Sequence, residues 1–244
     1  YVVPCTLSYQ IVLEASTLIN DHLAEMGRQR YIIEDDEFSR PTEVASFLKR
    51  VLDLDAPVVC RFGEPLDLFG RPVPRDAADR RTAEVRRRRY VTNAEGLVER
   101  DEQRDFRYTE RLSDAIVASY ARNTCVLSTH LVARVAWTLF AEQRGTHDPF
   151  RLVQVEPAGR HLGRSALIER LQLAMVRVRD GAHQGRWHHD LPDTAALLLD
   201  LALDRFKRFH RSRALADHGE DLLIEDPRLC LYYQNRLAHL SLEV

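Results

Sequence analysis

No stretch of this 244-residue chain approaches the ~18 continuous apolar residues that a membrane-spanning helix needs. The best apolar run, from Ala195 to Leu203, is broken by Asp200, so contact with a bilayer is expected to be peripheral. Cysteine is sparse too. Cys5, Cys60, Cys125 and Cys230 lie far apart in apolar surroundings, with no CxxC pair and no histidine at ligand spacing. That pattern argues against a zinc site and against a disulfide framework. It predicts four buried, reduced thiols, a state that suits the cytoplasm. A strong charge of either sign is also lacking: the formal net charge is -2 with 30% charged residues. No overall field draws the chain toward nucleic acid or anionic lipid, and any basic surface must be local. The opening Tyr1-Val2-Val3-Pro4 is neither a start methionine nor a signal peptide, and the chain reads as an excised piece.

With 45% apolar residues the chain can bury a core and form one large or two small domains. Its first part mixes strand and helix patterns. Val2, Val3, Cys5 and Leu7 form an apolar run of strand length, and Pro57 to Gly63 is a second strand ended by glycine. Between them, Glu43 to Leu54 has helical periodicity through Val44, Phe47, Leu48 and Val51, and Tyr31 to Arg40, with Asp35, Asp36 and Glu37, reads as an acidic surface turn. This is the pattern of the closing edge of an α/β sheet. From Gly70 to Tyr108 the composition shifts to Pro, Arg, Asp and Glu, as in a charged linker that can carry an exposed helix but little core. Helical spacing dominates the remainder: Leu112, Ile116 and Tyr120; Leu131, Val135 and Leu139; Leu167, Leu171, Ala174 and Val178; Leu198, Leu201, Ala202, Phe206 and Phe209. Glu220 to Ile224 suggests a short strand, and Asp226-Pro227 opens a last helix through Leu229, Tyr233, Leu237 and Leu240. The expected fold is α+β and mostly helical, with three parts: residues 1–75 as the end of an α/β domain, 76–108 as the linker, and 109–244 as a helical domain.

Four segments together resemble one family. Val2-Val3-Pro4-Cys5-Thr6-Leu7-Ser8-Tyr9 is similar to the fourth conserved block of the glycerol-3-phosphate acyltransferases. Arg61-Phe62-Gly63-Glu64-Pro65-Leu66 resembles their aromatic-Gly-Glu-Pro turn, and Leu127-Ser128-Thr129-His130-Leu131-Val132-Ala133 resembles a Ser-Thr-His helix start in the larger members. Leu231-Tyr232-Tyr233-Gln234-Asn235-Arg236-Leu237-Ala238-His239 looks like their C-terminal Tyr-Tyr-x-Asn-x-x-Ala-His helix. The anchors occur in the family's order and span nearly the whole chain. The nearest type is the bacterial membrane-associated enzyme, related to the mitochondrial glycerol-3-phosphate and dihydroxyacetone-phosphate acyltransferases.

The resemblance implies terminal strands of an acyltransferase α/β domain followed by a helical C-terminal domain. It implies a parent glycerol-3-phosphate 1-O-acyltransferase that moves a fatty acyl group from acyl-CoA or acyl carrier protein to the sn-1 hydroxyl of glycerol 3-phosphate. No cofactor and no metal are implied. Partners would be these substrates and membrane phospholipid, contacted peripherally on the cytoplasmic face of the cell membrane, with no nucleic acid. In the family a His-x4-Asp pair supplies the general base and its orienting carboxylate, and arginine-bearing blocks hold the glycerol phosphate. All precede the fourth block. None of these blocks is recognised here, so no catalytic residue is assigned and the chain alone is expected to be inactive. Val2, Val3 and Pro4, as the fourth block, are expected to border the acyl-donor site.

Other patterns have plainer readings. His188 and Asp193 have the His-x4-Asp spacing, but Pro192 and an amphipathic helix follow where substrate blocks should be. Asp193 is expected to cap that helix. His183, His188, His189 and Asp190 lack the facing pair a helical metal site provides. Ser128 beside His130 suggests a nucleophile and base, yet neighbours on a helix point apart and no oxyanion-hole glycine motif accompanies them. Ser128 or Thr129 is expected to be an N-cap, and Tyr232, Tyr233, Asn235 and His239 to be packing residues. Arg86-Arg87-Arg88-Arg89 lies among carboxylates, as a solvated, ion-paired face does; a phosphate, nucleic-acid or lipid-headgroup site is the sharper reading, and if the resemblance holds anionic membrane suits it better than nucleic acid. Arg205, Lys207, Arg208, His210, Arg211 and Arg213 suit a helix C-terminus, with membrane contact again the alternative. The competing class is a non-catalytic helical interaction or membrane-docking module, and a third is a basic-patch nucleic-acid binder.

Overall fold

The computed structural model describes residues 1–25, 57–208, 210, 212–240 and 242. The helix expected over Glu43 to Leu54, the turn over Tyr31 to Arg40, Phe209 and Arg211 lie outside them. The chain is α+β and mostly helical, with small sheets. In chain order the elements are β1 (Cys5–Tyr9), α1 (Ala15–Glu25), β2 (Val58–Phe62), α2 (Ala77–Val91), α3 (Glu102–Asn123), β3 (Cys125–Leu127), α4 (Ser128–Arg144) and α5 (Pro149–Leu152). There follow β4 (His161–Gly163), α6 (Arg164–His183), β5 (His188–Asp190), α7 (Ala195–Arg208), β6 (Ala216–His218), β7 (Asp221–Leu223) and α8 (Pro227–Asn235). They form two compact units: Tyr1–Leu7 with Cys60–Thr124 and Gly185–His188, and Ser8–Val59 with Cys125–Gln184 and His189–Val244.

In the first unit β1 pairs with β2, and the chain before β1 bonds to the turn after β2. Val2 and Leu66 exchange backbone hydrogen bonds of 2.8 and 2.7 Å, and Gly63 N donates to the Pro4 carbonyl at 2.8 Å. Strand alternation sorts the side chains by environment. Val3, Cys5, Leu7, Cys60 and Phe62 are exposed, while Pro4 is buried. After Leu66 the buried Asp67 carboxylate accepts from Phe69 N and Arg71 N at 2.9 and 3.0 Å, which ties a tight turn. Gly70 sits in that turn at φ 73°, where a Cβ would lie 2.7 Å from the Arg111 carbonyl oxygen. Only glycine fits this conformation at so close an approach.

The stretch 76–108 holds α2, a hairpin and the start of α3. Asp76 caps α2 by accepting from Ala78 N and Asp79 N, and Asp101 caps α3 by accepting from Arg104 N; each satisfies amides that have no partner inside the helix. The core here is small and aromatic. Phe69, Tyr90 and Tyr108 meet pairwise with centroids 4.7 to 5.6 Å apart, and the Arg71 guanidinium lies over the Tyr90 ring while donating to its hydroxyl.

The second unit is built around α4. Leu131, Val132, Ala133, Val135, Ala136, Trp137, Phe140 and Ala141 are all buried, so this helix is enclosed on most sides, and α6, α7 and α8 pack against it. The alanines let neighbouring backbones approach while the large side chains fill the gaps between ridges. Leu167, Leu171, Ala174 and Val178 of α6, at three-and-four spacing, are buried as their period predicts. Each fully buried large aliphatic side chain contributes about 1.5–3 kcal/mol relative to exposure. β7 lies between β4 and β6, antiparallel to both, with Leu222 opposite Leu162 on one side and Asp217 on the other. The strand expected over Glu220 to Ile224 is therefore present as β7. Asp226 caps α8, accepting from Arg228 N and Leu229 N, with Pro227 in the first turn. Both residues act as their types predict.

Candidate functional site

Polar side chains gather in the interior of the second unit where the chain leaves β1 and reaches the N-terminus of α4. Ser8, Gln10, Ser128, Thr129 and His130 are all buried. Buried polar groups need partners, and these find one another across more than a hundred residues of sequence. Gln10 is the centre. Its side-chain Oε1 accepts from Ser128 Oγ at 3.0 Å, and its backbone carbonyl accepts from Thr129 Oγ1 at 2.6 Å. Ser8 Oγ accepts from Cys125 N at 3.2 Å. The Arg205 guanidinium of α7 donates to Ser128 Oγ at 2.5 Å.

His130 continues the network. Its Nε2 lies 2.8 Å from the Tyr9 carbonyl, an acceptor only, so Nε2 carries the proton and donates. Nδ1 is buried and has no hydrogen-bond partner among the described residues. Burial, reinforced by the nearby Arg236 charge, lowers the His130 pKa from 6.5 to about 3. The ring is neutral at ordinary pH. It stacks near Tyr233 of α8, whose hydroxyl accepts from Val12 N at 3.1 Å and lies 2.8 Å from His210 Nε2. Burial likewise lowers the His210 pKa to about 4 and raises that of Tyr233. A turn further along α4, Arg134 Nη1 donates to Gln234 Oε1 at 2.7 Å.

The chemistry open to this cluster follows from where its protons go. Ser128 gives its proton to an amide oxygen and accepts from a guanidinium, so no base draws on it. His130 gives its proton to a peptide carbonyl, and no carboxylate bonds to it among the described residues. A nucleophile-base-acid relay needs the opposite arrangement. The cluster fixes the Ser8–Gln10 segment, α4, α7 and α8 against one another within the second unit.

Several expectations change here. Neither Ser128 nor Thr129 caps α4: Leu127 holds the cap position without a side-chain bond, because Gln10 takes both hydroxyls. Thr194, not Asp193, caps α7, its Oγ1 accepting from Leu197 N at 3.3 Å. Asp193 instead offers its backbone carbonyl to Arg179. His188 lies on β5 with its amide bonded to the Thr124 carbonyl. Cys125 and Cys230 are buried as expected, but Cys5 and Cys60 are exposed and bring their sulfurs within 3.5 Å. Alternation along β1 and β2 puts both on the open side, and a separation of 55 residues carries no spacing signal. Among the described residues no group of three His, Cys, Asp or Glu side chains is placed to hold a metal ion, and no helix is long and apolar enough to cross a membrane.

Of the residues expected to border a donor site, Val2 is half-buried, Val3 is exposed and Pro4 is buried. They stand together on the strand entry bonded to Gly63 and Leu66. Gln10 was not singled out by the sequence, although one signal was available: it is the polar residue heading the apolar run Ile11-Val12-Leu13. Arg205, grouped with a helix-end basic cluster, turns inward to Ser128. No family model matches the chain, and no curated protein or solved structure matches it.

Proposed function

We propose that this chain is the C-terminal part of a glycerol-3-phosphate acyltransferase, an enzyme transferring a fatty acyl group from acyl-CoA or acyl carrier protein to the sn-1 hydroxyl of glycerol 3-phosphate in phospholipid synthesis. One observation carries the reading. The four segments that resemble the family fall into partnered positions. In the first unit Val2 and Pro4 bond to Leu66 and Gly63 of the Gly-Glu-Pro turn. In the second, the Tyr9 carbonyl accepts from His130, whose ring stacks near Tyr233 of the last helix.

On this reading the strands β1 and β2 belong to the α/β acyltransferase domain, and α4 to α8 form its helical companion. Val2, Val3 and Pro4 border the acyl-donor site, while the catalytic His-Asp pair and the phosphate-binding arginines belong to chain preceding the fourth block. The parent works on the cytoplasmic face of the membrane and contacts it peripherally. The test is to compare acyl transfer to glycerol 3-phosphate by the 244-residue chain with transfer by the same chain joined to its upstream coding segment. The chain alone should be silent and the longer protein active, with an Asn-His-x4-Asp block upstream. Turnover by the chain alone that His188→Ala abolishes would sink the proposal.

A second reading, a non-catalytic helical module, is favoured by the closed core around α4. It predicts a monodisperse chain whose association does not depend on Val3, Leu7 or Phe62.

A further inference from the structure

We propose that α2 and the hairpin that follows it form a docking surface for anionic phospholipid. Residues 80–100 carry seven arginines against three glutamates. Arg80, Arg81, Arg86 and Arg89 are exposed and make no ion pair among the described residues. Arg88 reaches Glu84 at 3.8 Å, with both side chains largely in water; such a pair contributes little and yields readily to a phosphate. Arg87 is engaged near Asp67 and over the Tyr1 ring, and Arg100 pairs with Glu102 at 3.3 Å.

The apolar half of the surface adjoins the arginines. Val85, Leu97 and Val98 are 57%, 66% and 79% exposed. Val85, Arg88 and Thr92 follow one another at three-and-four spacing on one helix face. Val98 bridges Thr92, so the line of side chains continues past the helix end onto the hairpin. The hairpin is held in shape. Asn93 Oδ1 accepts from Glu95 N and Leu97 N, and Asn93 N donates to the Leu97 carbonyl. Presenting Leu97 and Val98 to a bilayer therefore costs little ordering of the backbone.

Aliphatic tips beside guanidiniums suit the boundary between headgroups and acyl chains. Single-stranded nucleic acid is held on aromatic faces on which bases stack, and the aromatic residue of this stretch, Tyr90, is committed to Phe69 and Tyr108. The proposal deepens the acyltransferase reading and rests on it for the choice of a bilayer, but its test reads binding and not turnover. The two can thus fail separately.

The experiment is co-sedimentation of the 244-residue chain with extruded vesicles of phosphatidylcholine, alone or with a minor fraction of phosphatidylglycerol. Binding should require phosphatidylglycerol and weaken as salt rises. The pair Arg86→Glu and Arg89→Glu should weaken it about tenfold or more, since each arginine near an anionic surface contributes on the order of a several-fold factor. Leu97→Asp with Val98→Asp should weaken it as well, and circular dichroism should show both variants folded. Equal sedimentation with both vesicle types, no sedimentation, or indifference to either variant pair would overturn the proposal. So would a single-stranded oligonucleotide that displaces the vesicles and binds the Asp variants undiminished.

Discussion

Thr129 and Gln10 stand 119 residues apart, and the Thr129 hydroxyl donates to the Gln10 carbonyl at 2.6 Å in the buried interior of the second unit. The bond joins the first residue after β1 to the first turn of α4. Thr129→Val keeps the shape of the side chain and leaves a buried carbonyl without its donor. A loss of about 1–3 kcal/mol is expected, read as a lower urea midpoint with an unchanged slope. No loss of stability would mean that the network around Gln10 does not hold the unit together.

Gly70 and Gly96 both have left-handed backbone, at φ 73° and 78°, yet their surroundings differ. A Cβ at Gly70 would meet the Arg111 carbonyl oxygen at 2.7 Å, and one at Gly96 would meet nothing within 4 Å. Gly96→Ala should therefore cost only the conformational strain of about 1–2 kcal/mol. Gly70→Ala should cost clearly more, because α3 must shift. Thermal unfolding of the two variants side by side checks the order; equal losses would mean that the contact with α3 is slack.

His130 and His210 are held neutral, with pKa values lowered from 6.5 to about 3 and about 4. In the unfolded chain both protonate near pH 6.5. The stability due to their depressed pKa values is therefore fully present above that pH and is lost as pH falls toward 4 and then 3. Between about pH 6 and pH 4 each contributes a slope of about 1.4 kcal/mol per pH unit. His130→Gln, which keeps a donor for the Tyr9 carbonyl, should reduce the slope by one proton. Urea titrations across this range measure it, and an unchanged slope would show that His130 protonates freely in the folded protein.

Cys5 and Cys60 are exposed with sulfurs 3.5 Å apart, whereas Cys125 and Cys230 are buried. Burial raises the Cys230 thiol far above its ordinary pKa, which leaves little reactive thiolate. Diamide should remove two thiols per chain without forming dimers, and faster at alkaline pH because the bond to Cys60 raises the Cys5 pKa. Cys5→Ser should leave no intramolecular disulfide. Loss of other thiols, or cross-linked dimers in place of an internal bond, would contradict the pairing of these strands.

Much of the second unit was legible from residue periodicity. Leu167, Leu171, Ala174 and Val178 repeat at the helical period and are buried, and Asp226-Pro227 opens α8 as those two residue types do elsewhere. Such features depend on neighbours within a turn or two, where side-chain direction follows directly from the backbone. Ser128, Thr129 and Asp193 are another matter: their local chemistry suits an N-cap, but a hydroxyl or carboxylate takes whichever partner the fold presents. Gln10 took the first two. Thr194, a residue later, took the cap that Asp193 had been expected to fill.

Sequence alone determined which face of α6 leaves water and where α8 begins, because those features follow from residue type and spacing within a turn or two. Only the tertiary structure decided which distant segments meet: Gln10 with Thr129, Cys5 with Cys60, Arg134 with Gln234. Those contacts rest on directional bonds between groups whose separation along the chain holds no record of their separation in space.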